Sequence, residues 1–164
     1  MGWYAIYTRP RHEKIVAEAL EEKGVEAFLP LRRERRQWKD RKKWVHEPLF
    51  RSYVFVNIEL KDRIYTLQTK GVVKLVGFGG EPAQIPDWQI DQLRKVLDKG
   101  TVLETEDFFT EGDYVEITAG ALEGVRGYLR EKRGESRLAL KLDGIYQMAS
   151  FVVDRDAVKK VAAD

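Results

Sequence analysis

Residues 50–58, FRSYVFVNI, constrain the fold more tightly than any other stretch of the chain. Aromatic and β-branched side chains dominate them, the composition of a strand buried on at least one face. Because side chains alternate across a strand, Val54, Val56 and Ile58 share one face and Tyr53, Phe55 and Asn57 the other. Residues 3–7 divide in the same way, with Trp3, Ala5 and Tyr7 opposite Tyr4 and Ile6. Two such strands call for a sheet whose aliphatic face is packed by helices. The aromatic face then needs a cover of its own, and three stay open: a helix, a second domain or a separate partner.

The spacing of Ile15, Val16, Ala19 and Leu20 predicts a helix over 12–23 closed by Gly24, and the strand expected over 25–29 stops at Pro30. A second helix is expected over 61–69, a strand over 72–76, a turn over 77–82 and a third helix over 87–99, entered at Pro86 and left at Gly100. Beyond it Gly112, Gly120, Gly124, Gly127, Gly134 and Gly144 recur evenly between strand-like runs at 114–118, 125–130, 137–142 and 149–153. The expected fold class is α+β. A ferredoxin-like α/β sandwich with an antiparallel sheet spans 1–100, an acidic linker (TVLETEDF) spans 101–108, and a small all-β barrel spans 109–164.

Lys and Arg number 29 against 27 Asp and Glu, yet the near-neutral total hides a local concentration. Residues 32–45, RRERRQWKDRKKWV, hold eight basic side chains against Glu34 and Asp40, and Lys39-Asp40 suits the turn of a protruding hairpin. Such density is the footprint of phosphate contact, with Arg35, Arg36, Lys42 and Lys43 as candidate ligands and Trp38 and Trp44 as stacking rings. A merely solvated hairpin is the alternative. With no Cys and two isolated His, thiolate catalysis and His or Cys metal sites are not expected, and neither a metal nor a cofactor is called for. No phosphate-cradling loop is present, so an enzyme is not expected either. The apolar runs are too short for a membrane helix, and the N-terminus lacks a secretory pattern, so a cytoplasmic protein is expected.

RSYVFVNI looks like the RNP1 strand of RNA-recognition motifs, although Ser52 and Val54 stand where that pattern wants Gly or Ala. A single-strand RNA-binding module is therefore one reading. A second comes from WYAIYTRPRHEKIVAEALEEKGVEAFLP, EPLFRSYVFV and GVVKLVGFGGEPAQIP, which together resemble the N-terminal (NGN) domain of NusG-family transcription factors. EGDYVEITAGALEGVRG, residues 111–127, is similar to the KOW motif of the SH3-like barrel that follows it in that family.

The resemblance implies a transcription elongation or antitermination factor, monomeric and without a membrane partner, that rides on RNA polymerase. Carried over, Tyr7, Tyr53, Phe55 and Phe78, with Trp3, would form an aromatic depression docking on the clamp helices of the largest subunit. Asp62 and Arg63 fall where relatives touch the opposite jaw, and Arg9, Arg11, Thr69 and Lys70 at or beside positions that contact DNA. The wording TRPRHEK, PLF and FGGEPAQIP is more like specialised paralogues of the RfaH and UpxY type, which act on particular operons, than like the housekeeping protein. Where housekeeping members carry a Phe-Gly-Arg turn for ribosomal or termination partners, this chain has Ile145-Tyr146-Gln147, which leaves a ribosome contact open. Six Gly argue against the helical form of this domain found in some specialised relatives.

Overall fold

The computed structural model describes residues 1–107 and 112–163. The chain divides into two compact units, Met1–Asp87 with Asp143–Ile145, and Trp88–Leu142 with Tyr146–Asp164. In chain order the first holds β1 (Gly2–Thr8), α1 (Glu13–Glu22), β2 (Glu26–Phe28), β3 (Leu31–Trp38), β4 (Arg41–Pro48), β5 (Tyr53–Ile58), α2 (Arg63–Leu67), β6 (Val72–Leu75), β7 (Gly77–Phe78), β8 (Glu81–Pro82) and β9 (Gln84–Ile85).

Five of these strands form one antiparallel sheet in the order β2-β5-β1-β6, with β9 also on β1. Since β1 and β2 both run against β5, they run parallel to each other with β5 inserted between them, and α1 makes the crossover. The register sets Tyr4 opposite Val56 and Ile6 opposite Val54 on one face. That face carries the core: Tyr4, Ile6, Val54, Val56 and Ile58 pack with Val16 and Leu20 of α1. Each such side chain removed from water contributes about 1.5–3 kcal/mol.

α1 ends as its sequence dictates. Gly24 takes φ +81, its N–H donates to the Glu21 carbonyl at 3.0 Å, and the Val25 N–H donates to that of Leu20 at 2.9 Å. This paired closure satisfies carbonyls the helix leaves open and sends Val25 back into the core beside Leu20. At the other end, the buried Glu13 carboxylate accepts the Ser52 N–H at 3.0 Å, tying α1 to the entry of β5.

β3 and β4 form a separate two-stranded ribbon, paired from Leu31–Pro48 to Trp38–Arg41 about a turn at Lys39-Asp40, with Lys39 at φ +52. Its neck is closed by the Leu49 N–H donating to the Pro30 carbonyl at 2.9 Å.

The second unit opens with α3 (Asp87–Asp98), whose first residue closes the first unit. It continues with β10 (Glu104–Asp107), β11 (Tyr114–Ile117), β12 (Arg126–Lys132), β13 (Glu135–Lys141), β14 (Gln147–Val152) and β15 (Val158–Lys160). The six strands form an antiparallel sheet in the order β10-β14-β13-β12-β11-β15. Lying flat, β10 and β12 would be three strand spacings apart, roughly 14 Å. Yet Arg130 of β12 reaches Glu106 of β10 at 2.7 Å, so the sheet is strongly coiled. Gly127 permits close approach of β12 and β13, since a Cβ there would overlap the Ala139 carbonyl oxygen.

The fold is mixed α/β with antiparallel sheets, and several expectations need correction. Residues 104–107, assigned to a linker, are strand β10, because Glu106 and Glu104 find cationic partners in Arg130 and Arg137. Phe109, the expected start of the second domain, and Glu111 lie outside the described residues. The second helix is a 3-10 turn at Leu60–Asp62 followed by only five α-helical residues, and the turn over 77–82 contains the two-residue ladder of β7 and β8. β15 carried no expectation. Among described residues 112–163 there is no α-helix.

Candidate functional site

On the far face of the five-stranded sheet, β1 and β5 set Trp3 opposite Asn57, Ala5 opposite Phe55 and Tyr7 opposite Tyr53. The residues expected to form one aromatic depression separate by burial. Phe55 is fully buried and Trp3 nearly so, at 0% and 4% exposure. β2 places Phe28 opposite Phe55, and Phe50 folds back on it, so Trp3, Phe28, Phe55 and Phe50 form a chain of rings with centroids 6.1–6.5 Å apart. Phe55 and Trp3 are thus a buried floor and not contact residues. Tyr7 and Tyr53, half-buried, meet edge to face at 5.6 Å. Burial pushes the Tyr53 phenol above its ordinary value, and the neighbouring Tyr7 adds to the rise. Phe78, on β7, is 51% exposed.

A second group gathers where β1 ends. The Thr8 N–H donates to the Ser52 carbonyl at 2.8 Å and the Arg9 N–H to that of Gly71 at 2.9 Å, drawing three loops together. Arg9, Arg11 and Lys70 are exposed there, joined by Arg51, for which the residue pattern gave no signal. Arg11 and Ser52 both hold positive φ, at 63° and 67°, a strained backbone of the kind found at functional loops. Thr69 does not belong to this surface: it is buried, and its hydroxyl accepts from Lys23 Nζ at 3.0 Å. Asp62 and Arg63 are exposed at the start of α2, beside Ile64 and Tyr65.

The ribbon is the third group. Arg35, Arg36, Lys42 and Lys43 are all exposed, but unequally engaged. Arg36 pairs with Glu34 at 3.2 Å and Glu47 at 3.4 Å, and Lys43 lies 5.6 Å from the Trp38 ring centre. Arg33, not singled out from the sequence, stacks on Trp44 at 4.1 Å, with Arg35 at 5.8 Å. Among the described residues no group of three or more His, Cys, Asp or Glu is placed to hold a metal, and no helix is long and apolar enough to cross a membrane.

Residues 1–94, which contain all three groups, match the family described as Transcription termination factor nusG. The chain belongs to the NusG family. Its members are transcription factors and not enzymes, and membership supports a role in transcription elongation or termination. The NusG fold is also found in the solved structure of domain interaction in Thermotoga maritima NusG, 22% identical, covering 98% of this chain and 97% of that one with a TM-score of 0.55. The MjSpt4:Spt5 complex in conformation B is 20% identical over 98% of this chain and 97% of that one, with a TM-score of 0.34.

Beyond the NusG match, Ile145 is buried, while Tyr146 is 66% exposed. On the coiled sheet Arg126, hydrogen-bonded to Glu116 at 2.8 Å, holds that carboxyl below the usual range, and Lys159 at 3.5 Å adds to it.

Proposed function

We propose that the chain is a NusG-type elongation and antitermination factor that docks on the clamp helices of RNA polymerase through Tyr7, Tyr53 and Phe78. The reading is carried by the family match over 1–94, which spans every residue of this surface. Phe55 and Trp3 set its floor; Tyr7 and Tyr53 offer half-exposed rings, and Phe78 a more exposed one. In the same reading the first unit contains a ferredoxin-like sandwich, and the coiled sheet, from β10 onward, is an SH3-like KOW barrel. Arg9, Arg11 and Lys70 face DNA in the transcribing complex, and Asp62 and Arg63 face the opposite jaw. Bridging both sides favours the closed polymerase by differential affinity, with no covalent step. The protein works in the cytoplasm as a monomer, on particular operons, and Ile145-Tyr146-Gln147 in place of Phe-Gly-Arg sets its ribosome contact apart from that of housekeeping members.

The alternative, an RNP1-like strand stacking single-stranded RNA, is disfavoured by the complete burial of Phe55, the central ring that strand would offer. The test measures binding of the intact protein to polymerase and to the isolated clamp helices. Tyr53→Ala, Tyr7→Ala and Phe78→Ala are expected to lower affinity about tenfold or more, as loss of an interface anchor does, with an unchanged circular dichroism spectrum. Wild-type affinity in all three overturns the reading.

A further inference from the structure

The β3–β4 ribbon has two chemically different faces. We propose that one of them, Arg33, Arg35 and Lys42 around Trp44, grips the phosphodiester backbone of a nucleic acid, while the other, whose two carboxylates offset half of its four cations, stays out of the contact.

Residues paired across a ribbon share a face, and faces alternate along it. The register therefore sorts the side chains without ambiguity. Arg32, Glu34, Arg36, Trp38, Arg41, Lys43, Val45 and Glu47 share one side. Arg33, Arg35, Gln37, Lys42, Trp44 and His46 share the other. Both strand carboxylates fall on the first side, and both are used: Glu34 lies between Arg32 at 3.3 Å and Arg36 at 3.2 Å, and Glu47 takes Arg36 at 3.4 Å. The second side carries three cations and no carboxylate, a net +3, against four cations and two carboxylates, a net +2, on the first. Among the described residues no acidic side chain pairs with Arg33, Arg35 or Lys42.

That side also avoids opposing its own charges. Arg33 faces His46, Arg35 faces Trp44 and Lys42 faces Gln37, whereas Arg36 and Lys43 stand directly opposite each other on the first side. Trp44, 50% exposed, receives the Arg33 guanidinium at 4.1 Å and Arg35 at 5.8 Å. Stacking occupies the flat face of a guanidinium and leaves the N–H donors in its plane for phosphate oxygens. Trp44 is then a positioning residue, holding two forks side by side. The assignment revises the sequence-based set: Arg33 enters, and Arg36 and Lys43 leave.

The proposal rests on the polymerase reading only for where the nucleic acid comes from. Binding is measured by fluorescence anisotropy of the intact protein with a labelled DNA duplex, an RNA hairpin and single strands of each, across a salt series. Two triple variants remove equal charge: R33Q/R35Q/K42Q from one side and R32Q/R36Q/K43Q from the other. The first is expected to weaken binding about tenfold or more and to flatten the slope of log affinity against log salt by up to ~2.7, about 0.9 for each phosphate no longer neutralised. The second is expected to stay within about threefold of wild type. Equal losses in both triples, with circular dichroism unchanged, overturn the proposal in favour of net charge alone. Absence of salt-dependent binding by the wild type to every probe overturns it as well. Which probe binds tightest distinguishes a DNA source from an RNA one. Polymerase retention, measured in parallel, is expected to survive in both triples. Its absence in the wild type would remove the proposed function without touching the ribbon result.

Discussion

Strand β5 and the β3–β4 ribbon are neighbours in the chain and opposites in burial. In β5, Val54, Phe55 and Val56 are completely buried, so both faces of the strand are packed. Along the ribbon, Trp38 and Trp44 are 55% and 50% exposed and most of the charged residues lie in water. A two-stranded hairpin without a core is marginal in water. Besides its own ladder, the neck hydrogen bond, cation–ring contacts at about 0.5–1 kcal/mol and exposed ion pairs at about 0–1 kcal/mol support this one. Residue identity in β5 is therefore set by packing. On the ribbon packing demands almost nothing, and so its segregation of charge points outward, to a partner.

The contrast breaks most visibly under truncation. Phe55→Ala is expected to cost about 3–5 kcal/mol in urea unfolding, because it opens a cavity under Phe28 and Phe50. Trp44→Ala should cost under about 1 kcal/mol, the worth of an exposed ring contact. Equal losses would mean that the ribbon carries core after all. A smaller effect tests the rim between the two regimes. The raised Tyr53 phenol gives the folded state a stabilisation that is complete below its ordinary value near 10.0 and lost as pH climbs through the higher folded value. Tyr53→Phe, followed by unfolding from pH 8 upward, should flatten the alkaline decline relative to wild type, and an unchanged decline would place Tyr53 in solvent. Smallest of all, Arg36→Ala should change stability by less than about 1 kcal/mol despite its two ion pairs, since both are half-exposed. A larger loss in thermal unfolding would show the ion-paired side to be a structural scaffold.

Legibility followed the range of the forces. The alternation in β1 and β5, the Gly24 closure of α1 and the ribbon turn at Lys39-Asp40 are local patterns, and each appears where the residues place it. β10 was illegible because Glu and Asp are poor strand formers; what holds Glu106 there is Arg130, far along the chain. The aromatic face was legible as a face, but its division was not. Phe55 and Tyr53 look alike in sequence, and only Phe28 and Phe50, brought in by β2 and by the entry to β5, bury one and spare the other. Thr69 likewise read as accessible until the fold brought Lys23 onto it. On the ribbon, alternation alone separates Arg33 from Arg36, and that signal was present in the sequence throughout.

The bond between Leu49 and Pro30 has a consequence for how such a chain can change over time. It brings the two ends of the ribbon together beside the paired strands β2 and β5, so the eight-residue arms form a cassette attached at a single point. Lengthening or trimming both arms by equal, even numbers of residues would keep every remaining side chain on its side. It would alter only reach, now about 25 Å at ~3.4 Å per residue. A lineage could thus retune how far this arm extends, or exchange it whole, while the sheet that anchors it stays unaltered.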